Sequence, residues 1–397
     1  MKYNFHIYLL GNLMFGFCQW VTIILLVKYS NTTLLGHYTY GIAIVAPLIL
    51  LLSFGLNTLI VTNNKFKHNI YFYTRCISSL LIIIIYMFIV VKWTNLNTDV
   101  YLLMAFIAFT KVIENVNDIK FAYWISENNH RKVGIFKFVL SIYQISLTTF
   151  FVIIYHSLIT ALIIYSVTLF FYTVISNRKY LKINIKEFNN IIVLCMMGVP
   201  ISITLFLSSL NSNIPKYLLE IYSNIESVGI FSGLLTIYSI GNTFLFSIYN
   251  YLLPTIVKNK NDFIFLKKVL LYIILISTFT SSIIITLSFL YFDNIINIIL
   301  SNKFAKFNKE FILLIISSCL IYVSILFDLF INSHKKYKYN TVVQIISVLT
   351  ILISSLIAIP KFDIYGAMMS FSIFAVIVFS MKLILSIKII KKVKNSG

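Results

Sequence analysis

Residues 101–125 read YLLMAFIAFTKVIENVNDIKFAYWI, and this stretch decides how the rest of the chain must be arranged. It is apolar and long enough to cross a lipid bilayer, which needs about 20 residues of helix. Four polar residues nevertheless recur at helical spacing within it, namely Lys111, Glu114, Asn115 and Asp118. A charge near the bilayer centre costs on the order of 3 kcal/mol. We therefore expect this face of the helix to lie against other helices or a watery cavity.

Two interpretations of this polar stripe are open. In the first, Lys111 forms ion pairs with Glu114 and Asp118 that only hold helices together. In the second, the stripe is a functional site, which is the usual role of ionisable residues inside a membrane. Lys120 points roughly the opposite way and lies near the end of the stretch, where its side chain can reach the membrane interface.

The composition is that of a polytopic membrane protein. Hydrophobic residues make up 59% of the 397 residues and charged residues 11%, whereas a soluble domain carries about 25% charged residues. Residues 3–27 form an uncharged run that is too long for a signal peptide, so we expect a retained first helix. The four cysteines lie in apolar segments without the spacing of a metal or redox motif. We find no catalytic triad or phosphate-binding glycine loop, and we expect no cofactor or metal.

About twelve segments have the length and apolar character of membrane-spanning helices. They are residues 4–27, 37–62, 74–93, 100–125, 133–155, 157–176, 190–213, 228–257, 268–292, 309–332, 338–359 and 364–386. A turn at residues 155–157 divides the long uncharged run 138–177. Pro47, Pro200 and Pro254 are expected to kink their helices. We predict an N-terminal six-helix bundle (1–176), a cytoplasmic linker (177–190) and a C-terminal six-helix bundle (191–397).

Lysine and arginine concentrate in alternate loops. Nearly the whole formal net charge of +20 falls on the set of loops that includes both termini. By the positive-inside rule this face is cytoplasmic. The loop 293–310 is discordant, because it has three lysines on the predicted outer face. The positive charge thus reflects membrane orientation, and we expect no nucleic-acid partner.

The two halves contain an internal similarity at an offset of 193 residues, between segments that start at Leu35 and Val228. The matching pairs are Gly36 and Gly229, Tyr38 and Phe231, Leu52 and Leu245, Asn57 and Asn250, and Thr62 and Thr255. Each segment opens the second helix of its half. This arrangement predicts a parallel repeat, and transporters place the substrate site at the interface of such repeats.

Three features together resemble a known family. They are the (L/V)-G-x-(Y/F) element opening the second and eighth helices, the two halves of six helices, and YGAMMS at residues 365–370. They resemble the polysaccharide-exporter branch of the multidrug/oligosaccharidyl-lipid/polysaccharide (MOP) superfamily, and most closely the Wzx-type flippases for O-antigen or capsule units. The resemblance covers the full chain. It implies a fold of two helical bundles around a central cavity, which open alternately to either side.

This resemblance also implies a substrate and a location. Members move an undecaprenyl-pyrophosphate-linked oligosaccharide from the inner to the outer leaflet of the bacterial plasma membrane, through a cavity that is typically cationic. The resemblance implies that the chain binds the lipid-linked substrate and membrane lipid. It also implies possible contact with polysaccharide polymerase and glycosyltransferases. Relatives often carry an acid–base pair near the outer end of helix 7. Asn213 and Pro215 stand there in this sequence, and Lys216 can stand for the base.

The candidate substrate-binding residues are Lys111, Glu114, Asn115 and Lys216, and the candidate coupling residues are Asp118 and Asp328. Lys111 can make point-charge hydrogen bonds to phosphate. Buried carboxylates can carry a coupling proton. Lys216 can equally be an ordinary loop lysine, and Asp328 a partner for Lys335.

Two rival functions remain open at this stage. A multidrug/cation antiporter of the same fold would use cavity acids without a partner base, whereas Lys111 accompanies Glu114. A membrane-embedded polysaccharide polymerase or ligase would normally need a sizeable outer loop, and the longest predicted outer loop is 293–310.

Overall fold

A computed structural model describes residues 2–62, 66–93, 97–178 and 188–396. All regular secondary structure in these ranges is helical. The helices are α1 (Lys2–Tyr29), α2 (Thr32–Leu52), α3 (Leu56–Thr62), α4 (His68–Trp93), α5 (Thr98–Ser126), α6 (His130–Ile154), α7 (Leu158–Asn177), α8 (Phe188–Tyr222), α9 (Ile225–Lys258), α10 (Phe263–Leu290), α11 (Phe292–Ile299), α12 (Asn308–Ser333) and α13 (Tyr337–Ser396). A single 3-10 turn covers Asn302–Phe304.

Ten of the described helices are long and apolar enough to cross a membrane. One of these is α13, which has 60 residues and leaves helical geometry at Asp363 (φ 49°, ψ −125°), so it supplies two spans. The 29-residue α5 is not among these ten, although it is long enough to cross a membrane. Counting α13 as two spans and adding α5 raises the number from ten to the predicted twelve. The prediction of an all-α, multi-pass membrane protein is confirmed.

The predicted second segment, 37–62, is not one helix. It is broken into α2 and α3 by a turn in which Phe54 and Gly55 both have positive φ, 48° and 54°. Pro47, where we expected a kink, lies inside α2. The turn at residues 155–157 does separate α6 from α7, as predicted, with His156 at φ 51°.

The chain forms two compact units, Met1–Asn213 and Ile214–Gly397. The division falls inside α8, which begins in the first unit and ends in the second. The predicted linker, 177–190, lies largely outside the described residues, because 179–187 are not described. The predicted bundle boundaries and the central cavity therefore stay predictions.

In the first unit, α5 packs against five helices: α2, α3, α4, α6 and α7. Helices α1 and α6 pack along each other and cross at glycines, where a Cβ added to Gly11 would lie 2.1 Å from the carbonyl oxygen of Gly134. Residues 101–125 thus belong to the most enclosed helix of this unit, as their polar stripe requires.

The second unit repeats part of this arrangement. Here α12 packs against α9, α10 and α13. Gly36 and Gly229 lie in the first turns of α2 and α9, and α2 packs on α5 as α9 packs on α12. Hydrogen bonds between paired helices also span similar sequence separations, 56 residues for Asn117–Thr173 and 55 for Ser317–Ser372. The repeat at an offset of 193 residues stays a prediction.

Candidate functional site

The ion pair Lys111–Glu114 lies in the interior of the first unit. Lys111 Nζ is 2.9 Å from Glu114 Oε2, and the two side chains are 17% and 13% exposed. The residues are one helical turn apart on α5, which brings their side chains together on one face. The remaining carboxylate oxygen, Glu114 Oε1, accepts a hydrogen bond of 3.3 Å from the Tyr165 hydroxyl on α7.

Tyr165 is held in an apolar cluster between α5, α6 and α7. It is 1% exposed and packs with Ile113 and Leu169, with Tyr143 and Leu147 at the edge of the cluster. A buried tyrosine hydroxyl needs a polar partner, and Glu114 supplies it. Tyr165 therefore belongs to the candidate site, although no sequence pattern distinguishes it from the many other aromatic residues.

Asn115 faces a different helix from Glu114. Its Oδ1 accepts a 3.0 Å hydrogen bond from Arg75 Nη1, and Arg75 Nη2 donates to Asn57 Oδ1 at 3.0 Å. Arg75 is 1% exposed. It lies at the very start of the predicted span 74–93, whereas α4 begins earlier, at His68. Asn115 is thus a partner of a buried arginine.

Asp118 is the third acidic or amide group of the polar stripe after Glu114 and Asn115. Among the described residues no hydrogen bond reaches its carboxylate, and the attractive charges acting on it are chiefly those of Lys137 and Arg75. Lys137 donates a 2.8 Å hydrogen bond to Asn12 Oδ1 on α1. Both cations hydrogen-bond to neutral amide oxygens, so the Asp118 carboxylate keeps its lone pairs available.

Lys120 is anchored to α7. Its Nζ donates to Ser176 Oγ at 2.9 Å and to the Tyr172 hydroxyl at 3.2 Å, and it lies 4.8 Å from the ring of Trp124. The polar residues of α5 therefore do not share one partner. Glu114, Asn117 and Lys120 contact α7, while Asn115 contacts α4.

Lys216 lies on α8 rather than in a loop, since this helix extends to Tyr222. Within the described ranges no hydrogen bond or ion pair to its ammonium is found. It belongs to the second unit, whereas Lys111, Glu114, Asn115 and Asp118 all belong to the first.

Asp328 forms an ion pair in the second unit, between α12 and α13. Its Oδ2 lies 2.7 Å from Lys382 Nζ, and the side chains of Lys382 and Asp328 are 12% and 20% exposed. The expected partner, Lys335, is instead in the turn after α12, with φ 57°. Lys382 lies inside the predicted span 364–386, but nothing in the sequence paired it with Asp328.

No group of three or more His, Cys, Asp or Glu side chains that could hold a metal ion occurs in the part of the chain that the structure describes. The ionisable groups of the first unit are instead held by amides, hydroxyls and one another. Such a set can bind and release an anion or a proton, but it offers no ready metal ligand sphere.

Comparison with known proteins adds both sequence and fold relationships. No family model matches the chain. It is 27% identical over 385 residues to the capsular polysaccharide biosynthesis protein CapF of Staphylococcus aureus, covering 94% of this chain and 96% of CapF. Its structure resembles that of the lipid II flippase MurJ in an inward-closed conformation, with a TM-score of 0.72 and 17% identity, covering 97% of this chain and 89% of MurJ.

It also resembles an inward-facing multidrug-resistance MATE family transporter of the MOP superfamily, with a TM-score of 0.65 and 13% identity, covering 98% of this chain and 96% of the transporter. The chain therefore shares the fold of this MOP superfamily transporter and of MurJ. The predicted resemblance is therefore confirmed, by the similarity to CapF and by the MOP fold. These two solved structures are those of a flippase and a multidrug-resistance transporter.

Proposed function

We propose that the chain is a flippase that moves a lipid-linked capsular repeat unit from the inner to the outer leaflet of the bacterial plasma membrane by alternating access. The observation that carries the proposal is the similarity to CapF over nearly the full length, in a chain whose fold resembles that of a lipid II flippase. The substrate we propose is an undecaprenyl-pyrophosphate-linked oligosaccharide. Both termini are cytoplasmic, because the lysine-rich loops lie on their side.

Lys111 is the proposed contact for the diphosphate. Without substrate its ammonium is paired with Glu114 at 2.9 Å. A diphosphate oxygen can replace the Glu114 carboxylate as the hydrogen-bond acceptor, since a phosphate carries more charge and more acceptor oxygens than one carboxylate. Glu114 keeps its hydrogen bond from Tyr165 when this happens. Release on the outer side restores the Lys111–Glu114 pair.

The other candidates have unequal support. Lys216 is proposed as a second cationic contact, because its ammonium has no partner within the described residues. Asp118 is proposed as the coupling carboxylate, because it is near Lys137 and Arg75 but bonded to neither. A coupling role for Asp328 would require the 2.7 Å pair with Lys382 to open. Asn115 contributes through Arg75 rather than by touching the sugar.

Complementation tests the function directly. The chain is expressed in a strain that lacks its own capsule flippase, and surface capsule is measured at matched protein levels. We expect the wild type to restore capsule, and Lys111→Ala to reduce it at least tenfold, because the loss of a charge-assisted hydrogen bond weakens binding by about 1.5–3 kcal/mol. Lys92→Ala is the matched control, since Lys92 is an exposed lysine at the end of α4.

The rival functions predict other results. A wild-type chain that inserts correctly yet restores no capsule in several capsule systems contradicts the flippase. Drug resistance conferred by that same chain would favour the multidrug antiporter. Capsule restored by Lys111→Ala as well as by the wild type would keep the flippase but remove Lys111 from its mechanism.

A further inference from the structure

The break between α2 and α3 is a defined turn in the first unit. Phe54 adopts φ 48° and Gly55 φ 54°. A positive φ is strained for a bulky residue such as phenylalanine. The helix that follows, α3, has seven residues, too few to be stable without tertiary contacts. The position of α3 is therefore set by what packs against it.

On one side the break lies against α8. A Cβ added to Gly198 would lie 1.8 Å from the carbonyl oxygen of Phe54, and one added to Gly55 would lie 2.7 Å from Ile201 Cγ2. Only glycine allows backbones to approach this closely. Residues of α3, α4, α5 and α8, among them Leu194, continue the contact as one apolar cluster.

On the other side α3 is held by Arg75. The guanidinium donates from Nη2 to Asn57 on α3 and from Nη1 to Asn115 on α5, both at 3.0 Å. Arg75 itself is on α4, so one side chain joins three helices. A planar guanidinium reaches two acceptors at fixed angles, which a lysine ammonium does not. Both hydrogen-bond acceptors are neutral amides, and the carboxylate that attracts the guanidinium, Asp118, makes no hydrogen bond to it. Burial of a charge in this way is unfavourable compared with an apolar core, which points to a role beyond stability.

We propose that Arg75 is a positioning residue that fixes α3 to α4 and α5, so that the turn at residues 53–55 acts as the hinge against which α8 moves during transport. The proposal rests on the proposed function, because it assigns the hinge a part in the flipping cycle. Helix α8 is suited to this part, since it leaves the first unit at Asn213 and continues into the second.

Cys195 on α8 reports on this contact, because it packs against the cluster that contains α3. The test uses the full chain in lipid nanodiscs with the other three cysteines replaced by alanine, and measures the rate at which a small maleimide modifies Cys195. We expect Arg75→Gln to raise the rate about tenfold, because two charge-assisted hydrogen bonds to α3 and α5 are lost. Arg75→Lys should fall between wild type and Arg75→Gln.

Two controls separate a local effect from general loosening. Arg131→Gln is the same chemical change at an exposed position at the start of α6, and it should leave the Cys195 rate unchanged. A second single-cysteine chain retains only Cys319, in the second unit, and its modification rate should not respond to Arg75→Gln. If Arg75→Gln does not fold, Asn57→Ala replaces it, since this removes one hydrogen bond and keeps Arg75–Asn115.

The transport measurement distinguishes positioning from binding. In reconstituted flipping, Asn57→Ala should lower the maximal rate severalfold and leave the half-saturating substrate concentration unchanged. An unchanged Cys195 rate in a well-folded Arg75→Gln or Asn57→Ala chain overturns the proposal. So does a change in half-saturation alone. A wild type that flips nothing contradicts the proposed function instead, and the Cys195 and Cys319 rates still decide whether Arg75 holds α3.

Discussion

Tyr165 on α7 donates a hydrogen bond to Glu114 Oε1 at 3.3 Å while Lys111 pairs with Oε2 of the same carboxylate at 2.9 Å. The carboxylate is therefore held from two helices at once. Lys111 is therefore a cation whose counter-ion is already held in position, and the three residues have different roles. In the mechanism we propose, Lys111 binds the substrate, Glu114 pairs with Lys111 between cycles, and Tyr165 keeps Glu114 in place.

Tyr165→Phe should lower flipping, but less than Lys111→Ala. The substitution removes the hydroxyl and keeps the ring and its packing. The Glu114 carboxylate then loses its hydrogen bond to α7 and can stay paired with Lys111 when substrate arrives. We expect a reduction of about threefold to tenfold, corresponding to one hydrogen bond to a charged group. Tyr143→Phe is the matched control, because Tyr143 borders the same cluster but donates to Thr168. Equal effects of the two substitutions would show that Glu114 is not involved.

The Asp328–Lys382 pair should matter for stability. Asp328→Asn leaves the partly buried Lys382 without its counter-charge, and breaking such pairs typically costs about 3–5 kcal/mol. We expect a lower Tm in detergent for Asp328→Asn and for Lys382→Met, and a partial recovery in the double variant. Strictly additive losses in this double-mutant cycle would contradict a direct interaction. Loss of flipping at unchanged Tm would instead support the coupling role.

The crossing of α1 and α6 should tolerate no added side chain. A Cβ on Gly134 would lie 2.3 Å from the carbonyl oxygen of Ile7, so Gly134→Ala must separate the two backbones. Overpacking of this kind costs about 1–3 kcal/mol, and the Tm should fall accordingly. At Gly41 the nearest atoms would be the Tyr86 hydroxyl oxygen at 3.1 Å and Ile107 Cδ1 at 3.2 Å. Gly41→Ala should therefore have a clearly smaller effect, and an equal or larger one would refute the close crossing.

The orientation can be tested with two matched positions in the second unit. Lys391, near the end of α13, lies on the proposed cytoplasmic side, and Lys306, after the 3-10 turn, lies on the outer side. Both side chains are exposed. In intact cells an impermeant maleimide should label Lys306→Cys and not Lys391→Cys, in a chain without its native cysteines. The reverse pattern would contradict the positive-inside assignment.

Much of the fold followed from the sequence, because hydropathy and length alone locate most spans. The errors fall at the ends of apolar runs. Arg75, Lys137 and Lys382 lie near the ends of the predicted spans 74–93, 133–155 and 364–386, and the sequence predicted no helix partner for them. In the structure each lies inside a helix and has a polar partner on another helix. Such pairs join residues far apart in sequence, so the pattern along one segment cannot reveal them.

The candidate site was predicted in part. The spacing of Lys111 and Glu114 on α5 predicted their ion pair, because residues one helical turn apart lie on the same face. Helical periodicity did not show which neighbour each residue meets, and Glu114 and Asn115 contact different helices. The break after α2 also escaped the sequence analysis, since Pro47 was the stronger helix-breaking signal and the break comes at residues 53–55.

The measurement that tests the central claim most directly is flipping of a lipid-linked oligosaccharide diphosphate in proteoliposomes that contain the purified chain. The account predicts that the wild type and Lys92→Ala move the lipid at similar rates and that Lys111→Ala is slower by about tenfold or more. Transport by Lys111→Ala at the rate of Lys92→Ala, with equal protein in the liposomes, would contradict the claim that Lys111 binds the diphosphate.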